Sequence, residues 1–434
     1  MSAPLIGLLG FLAALTMTLL GVPVAIAMAV AGVVGFGILR GMFGAEFILG
    51  TAPFEAVFPY SLSVVPMFVA MGVFAARAGI SQGLFDLANA VVGRVRGGLA
   101  LASIGACALF SAICGSSLAT AATMGRIAVP EMRRAGYDDR LGAASVAAAG
   151  TLGALIPPSV LLVIYALLTE TSIGALFAGA LIPGLLAVVL YAVAVMISIR
   201  LNPQLITAPP KVTEAEAAAR AKGRGAGPAL LLFALVIGGL FMGWFSPTEA
   251  ASVGAVGAIA LALWNRAGVR NFKEAALETT RTSAMIFMIL IGAALFNFFL
   301  ESTGMSRVLT QWVQDSPLTP TQIMLLILLG YIVLGCFMDA LSMLLLTVPV
   351  VFPLVMALGY DPVWFGIMVV SVAEIAMITP PIGINLFIIQ GVVRNLRQSD
   401  VMRGVVPFVL ADVVRILLLL AFPALVLFLP GLRG

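Results

Sequence analysis

The sequence predicts an all-α polytopic membrane protein built from two inverted repeats, and three observations carry that prediction. Of 434 residues, 62% are hydrophobic and only 10% are charged, against roughly 45–50% and about 25% in soluble domains. No soluble core of this length hides so much apolar surface, so most of the chain faces lipid or other buried helices. The second observation is internal repetition. An offset of 223 residues carries Gly136-Tyr137-Asp138 onto Gly359-Tyr360-Asp361, Pro130 onto Pro353, and Pro157-Pro158 onto Pro380-Pro381. Near the start, Gly21-Val22-Pro23 answers Phe245-Ser246-Pro247 at nearly the same offset, and such agreement of Gly and Pro positions marks a duplicated unit. The third is charge. Arg126, Arg133, Arg134 and Arg140 surround the first Gly-Tyr-Asp, whereas Pro353 to Pro362 carries no basic residue. Matched loops then lie on opposite sides of the membrane, which inverts the repeat.

The elements follow in order. The first apolar stretch, Pro4 to Leu39, is far longer than a signal-peptide core and has no basic residue before it, so no cleavable signal is expected. Gly21-Val22-Pro23 divides it into helices near 4–20 and 23–39, and a third helix is expected near 52–78. In 81–96, Leu84, Leu87, Ala88, Val91, Val92 and Val95 share one helical face, and the segment is too polar to span. It reads as an amphipathic arm in the interface. Residues 98–134 are apolar but interrupted by SAICGSSLATAATMG, which reads as a re-entrant hairpin. Helices near 141–168 and 173–199 complete a first repeat, 1–199. Residues 200–228, with Pro209-Pro210 and EAEAAARAKGRG, form a linker. The second repeat, 229–434, has helices near 229–247, 249–264 and 275–300, an arm at 305–314 and a hairpin at 320–357. Helices near 363–390 and 404–429 follow. Ser246-Pro247-Thr248-Glu249 has the form of a capping box.

The remaining basic clusters are Arg200, Lys211, Arg220, Lys222 and Arg224; Arg266, Arg270 and Lys273; and Arg394, Arg397 and Arg403. The positive-inside rule places all of them in the cytoplasm. Both termini are then periplasmic. The hairpin 98–134 enters from the cytoplasm and the hairpin 320–357 from the periplasm. No nucleic-acid motif accompanies the net charge of +4.

Composition also narrows the chemistry. There is no histidine, which removes histidine metal sites, histidine-based nucleophilic catalysis and histidine proton relays. Cys107, Cys114 and Cys336 lie singly in apolar runs without zinc or redox spacing. No phosphate-binding G-x-x-x-x-G-K-[ST] loop supports direct use of ATP. An intramembrane aspartyl enzyme using Asp339 and Asp412 is the nearest catalytic alternative, but the repeat gives no reason for such a dyad.

Inverted repeats with broken helices mark secondary transporters, and irregular backbone at bilayer depth is tolerated only where it lines a buried or watery site. The sequence has four such breaks: hairpin tips at 114–120 and 337–342, and double-proline breaks at 151–159 and 379–385. Proline removes a donor and frees a carbonyl one turn back. Freed carbonyls and hydroxyl oxygens suit Na⁺ as coupling ion, and helix N-termini suit a carboxylate. One candidate Na⁺ site combines Gly115, Ser116 and Ser117 with Thr151 and Gly153. Its counterpart combines Asp339 and Ser342 with Thr379 and Gly383. Asp339 is the sharpest residue, because a carboxylate in an apolar tip is costly and functional by default. Substrate contacts are expected from Ser117, Thr120, Pro158, Ser159, Pro381 and Asn385. The competing reading makes the Pro-Pro pairs packing kinks and the tips close helix crossings. Glu374 either serves the cavity or braces the broken helix, and Asp412 and Arg415, at i,i+3 spacing, can neutralise each other.

GSSLATAATMGRIAVPEMRRAGYD, GTLGALIPPSVLLVIYALLTETSIGALFAGALIPG, MDALSMLLLTVPVVFPLVMALGYDPVWFG and ITPPIGINLF together resemble one family. It is the large membrane subunit of tripartite ATP-independent periplasmic (TRAP) transporters, and the likeness covers nearly the whole chain, including FSPTEAA. Many members carry Asp where this chain has Thr120, so no acidic ligand is carried onto that position. The resemblance implies a Na⁺ symporter for organic acids such as C4-dicarboxylates, keto acids or sialic acid, in the bacterial inner membrane. It implies a small four-helix membrane partner, a periplasmic binding protein that delivers substrate, and an elevator-like transport domain moving against a scaffold. A stand-alone anion/sodium symporter without a binding protein is the alternative.

Overall fold

A computed structural model describes residues 2–207, 226–265, 268–380 and 382–432. Most of the expected linker, with Lys211, Arg220, Lys222 and Arg224, lies outside the described residues, as do Arg266, Pro381 and Arg433. The described residues are overwhelmingly helical and carry one isolated β-bridge, Tyr137 with Ile206. Seven helical stretches among them are long and apolar enough to cross a membrane.

The chain opens with α1 (Ala3–Leu19), α2 (Val24–Arg40) and α3 (Met42–Val57). A turn of 3₁₀-helix, Tyr60–Ser63, leads into α4 (Val64–Arg77). The single helix expected near 52–78 is therefore two: Pro59 has no N–H to continue the ladder and itself leaves the helical region, φ −57° and ψ 129°. The arm α5 (Ile80–Val92) buries Ile80, Leu84, Phe85 and Ala88. Then come the hairpin helices α6 (Gly98–Cys114) and α7 (Ser117–Arg134), the broken pair α8 (Asp139–Leu155) and α9 (Val160–Thr169), and the long α10 (Ile173–Leu201).

Beyond the linker lie α11 (Ala226–Phe241), α12 (Pro247–Trp264) and the 35-residue α13 (Val269–Thr303). The second arm is α14 (Met305–Gln314), and the second hairpin is α15 (Pro320–Gly335) with α16 (Ala340–Ala357). The second broken pair is α17 (Pro362–Ile378) and α18 (Ile384–Val392), followed by α19 (Gln398–Ala421) and α20 (Ala424–Gly431). The one helix expected near 404–429 is also divided, at Phe422-Pro423, where the proline holds Phe422 away from helical torsions.

Helix starts are chemically marked. Asp138 caps α8 by accepting from the Arg140 N–H, and Asp361 caps α17 by accepting from the Val363 and Trp364 N–H groups. Ser246 and Glu249 form the capping box of α12. The arms α5 and α14 each begin at a left-handed glycine, Gly79 and Gly304. In the packing, α13 lies along α2, α3 and α4, and α12 lies on α4. Around α8 sit α6, α7, α10, α17, α18 and α19. Within that second group, every residue of α8 from Leu141 to Leu155 is buried.

The basic loops converge at one end. Arg133 pairs with Asp139 at 2.6 Å and donates to the Arg394 carbonyl at 2.7 Å. Arg140 lies 3.8 Å from Asp400, and Arg96 donates to the Pro203 carbonyl.

Candidate ion and substrate site

The first tip is built by close approach. Gly115 ends α6 in the left-handed region, φ 62°, and a methyl group there would sit 2.4 Å from the Pro158 carbonyl oxygen. Gly153 lies on the other side: its Cβ would meet the Ser116 carbonyl at 2.6 Å and the Ser117 nitrogen at 2.8 Å. Only glycine lets the α8 backbone touch the tip in this way. Ser116 caps α7 by accepting from the Ala119 N–H, and Ser159 caps α9 by accepting from the Leu162 N–H while its hydroxyl donates to the Ala154 carbonyl. Asn385, at the start of α18, donates to Ser117 Oγ at 2.9 Å and to the Ala147 carbonyl at 3.3 Å. The structure therefore brings Gly115, Ser116, Ser117, Gly153, Pro158, Ser159 and Asn385 together, and the last of these comes from the other half of the chain. Thr120 Oγ1 and Asn385 Oδ1 are buried and have no hydrogen-bond partner among the described residues, so polar capacity is left over beside the tip.

Thr151 is the exception. Its hydroxyl donates to the Ala148 carbonyl and lies 3.2 Å from the Tyr191 hydroxyl, which points it away from Ser116 and into a buried polar chain. Tyr191 donates to Asp412 Oδ2 at 2.7 Å. Arg415 lies 3.1 Å from Asp412 Oδ1 and 2.7 Å from Glu374 Oε2, and all three ionisable side chains are buried. Asp412 and Arg415 do pair, as their spacing suggests, but Arg415 also holds Glu374 on the neighbouring helix. Glu374 thus braces the broken helix to α19. Tyr191 was not legible as a member, because an isolated tyrosine in an apolar helix reads as packing.

At the second tip, Asp339 caps α16. It accepts from the Ser342 N–H at 3.0 Å and from the Ser342 hydroxyl. Thr379 donates to the Ile375 carbonyl, and Gly383 packs against Ile378 and Leu386 at the start of α18. Asp339 and Ser342 are joined, while Thr379 and Gly383 belong to their own helix break one turn beyond Ala376, which Gly335 of α15 abuts.

Both tips open on one cavity of about 800 Å³. Gly115 to Ala119 line one side, and Asp339 to Leu341 with Met377 another. Thr123 and Arg126 extend the α7 wall, and Glu278, Thr282, Met285 and Ile286 of α13 close the far side. Arg77 of α4 is held there by Glu274 and Glu278, at 2.5 and 2.7 Å. Arg126 belonged by sequence to the basic cluster of the loop; the structure puts it on the cavity wall.

The model of the family described as "Tripartite ATP-independent periplasmic transporter, DctM component" matches residues 11–425. The chain belongs to that family. It is similar to the C4-dicarboxylate TRAP transporter large permease protein DctM of Pseudomonas aeruginosa, with 36% identity over 88% of each chain. It is also similar to the sialic acid large permease protein SiaM of Vibrio cholerae, 33% identical over 90% of each, and to the ectoine large permease protein TeaC of Halomonas elongata, 30% identical over 100% of this chain and 98% of that one. The substrates named for these permeases differ. Among solved structures, the Alcanivorax borkumensis YdaH transporter shares the fold, with a TM-score of 0.66 and 16% identity over 92% of this chain and 96% of that one. Neisseria gonorrhoeae MtrF does so at 0.61 and 14%, over 88% and 85%. This chain is thus a multi-pass TRAP large permease subunit with the fold of known transporters, and its relatives are named as transporter permeases.

Proposed function

We propose that this permease subunit imports a small organic acid by Na⁺ symport across the inner membrane, with both termini in the periplasm. The two halves act as inverted repeats, and the hairpins with α8–α9 and α17–α18 move as one elevator body against a scaffold of the remaining helices and the interfacial arms. A periplasmic binding protein delivers the substrate and a small four-helix subunit completes the scaffold. One observation carries the reading: hairpin tips from both halves, one offering serine oxygens and a helix N-terminus and the other a carboxylate, open on the same cavity. A cation at Asp339 and an anion at the start of α7 are electrostatically complementary neighbours there. Broken helices around such a cavity are the usual device for coordinating an ion and an anionic substrate together.

The test is uptake in proteoliposomes containing the large and small subunits, with the binding protein loaded with its acid outside. An inward Na⁺ gradient should drive accumulation, and the rate should saturate with Na⁺. Equal accumulation when K⁺ replaces Na⁺ on both sides would remove the Na⁺ symport reading.

A further inference from the structure

Arg126 stands apart from the other arginines around it. Arg133, Arg134 and Arg140 each pair with a carboxylate, and Arg77 pairs with two. Arg126 has no ion pair or hydrogen bond among the described residues, and it lines the cavity. It also continues a face: Ala119, Ala122, Thr123 and Arg126 all line the cavity, at i, i+3, i+4 and i+7. Of the other charges on the wall, Arg77 and Glu278 pair with each other, and Asp339 accepts from Ser342 and faces the proposed cation. Among the described residues the cavity therefore presents one uncommitted cation, on the same helix whose N-terminus starts at the first tip.

We propose that Arg126 binds one carboxylate of the transported acid, while Ser117 and the N-terminus of α7 hold its other end. This rests on the reading above that an organic anion enters this cavity. Ser117 and Arg126 are nine positions apart, a rise of ~13 Å along the helix. Helical side chains lean toward the N-terminus, so the long arginine side chain closes roughly half of that distance. The span left over fits an acid of about four to six carbons with an anionic or strongly polar group at each end. A guanidinium also suits a carboxylate better than lysine does, because its planar fork donates two parallel hydrogen bonds. Since Arg126 and the tip share α7, substrate held between them travels with the hairpin.

Thermal unfolding of the purified large–small subunit complex tests this, with succinate, 2-oxoglutarate and lactate titrated at fixed Na⁺. In the wild type a dicarboxylate should stabilise at lower concentration than lactate. Arg126→Met should raise the dicarboxylate concentration needed by ~10–100-fold and leave the lactate response nearly unchanged. Arg126→Lys should fall between them, and it substitutes for the Met variant if that one does not assemble. Stabilisation by Na⁺ alone should be the same in all three proteins, which shows that the variants are folded. If Arg126→Met answers dicarboxylate as the wild type does, the Arg126 assignment is wrong and the organic-acid reading stands. If the wild type answers Na⁺ but none of the acids, both are overturned.

Discussion

The two halves of this permease use the same punctuation with different chemistry. At positions 223 apart, Ser116 corresponds to Asp339 as the cap of a hairpin helix, Gly153 to Ala376, and Thr151 to Glu374. In the first half the tip and the helix break are uncharged and close-packed: backbone touches backbone at Gly115 and Gly153. The second half carries the carboxylates, one at its tip and one in its broken helix, and the latter needs Arg415 to hold it. Matched positions therefore share where the helices start and stop but differ in charge. A tip built from carbonyls and hydroxyls would hold a cation by many weak dipoles, whereas the proposed site at Asp339 would hold one by direct charge.

The largest effect expected from this difference is at the polar chain. Arg415→Met leaves Glu374 and Asp412 buried without their partner, and removing one member of a buried ion pair costs about 3–5 kcal/mol. Thr151→Val, at the position matched to Glu374, removes one hydrogen bond and should cost about 1 kcal/mol. Unfolding of the two variants in detergent measures both. Equal, small losses would mean that the charged helix break is no more dependent on its network than the uncharged one.

At the tips, Asp339→Asn keeps the shape and removes the charge. It should lower the apparent Na⁺ affinity of transport by on the order of 30–100-fold while assembly with the small subunit persists. Ser116→Ala should lower it by only a few-fold, because one oxygen among several is lost. Na⁺ titrations of uptake in proteoliposomes compare them, and ordinary Na⁺ affinity in the Asp339→Asn variant excludes Asp339 as a ligand.

Gly153→Ala should have a smaller effect on stability, about 1–3 kcal/mol, since its methyl group would lie 2.6 Å from the Ser116 carbonyl. Its specific mark is that the first tip must shift. The hydrogen bond from Asn385 to Ser117 should then weaken, and Gly153→Ala and Asn385→Ala should be non-additive in a double-mutant cycle of stability. Additive effects would show that the tip and the opposite half are not coupled there.

Much of this was legible from punctuation. The ends of the hairpin helices sit where Gly115, Ser116 and Asp339 placed them, because caps and left-handed glycines are local chemistry. The Pro59 and Pro423 breaks were just as local, but the apolar runs around them masked the prolines. The site itself was only half legible. Neighbours across the sequence, such as Asn385 on Ser117 or Glu374 on Arg415, depend on which helices pack together, and spacing along one helix carries no such information. Arg126 was hidden for the opposite reason: in sequence it sits near a basic loop, and only the helical phase of α7 turns it toward the cavity.

The comparison of the halves depends on their being inverted, so that the two tips enter the membrane from opposite sides. Ala135 and Leu358 end the matched helices α7 and α16. In a protein lacking Cys107, Cys114 and Cys336, a single cysteine at each position should be labelled by an impermeant thiol reagent from opposite sides: Ala135→Cys from the cytoplasm, and Leu358→Cys from the periplasm. Labelling of both from the periplasm would contradict the inversion, and with it the pairing of the two tips as cation sites.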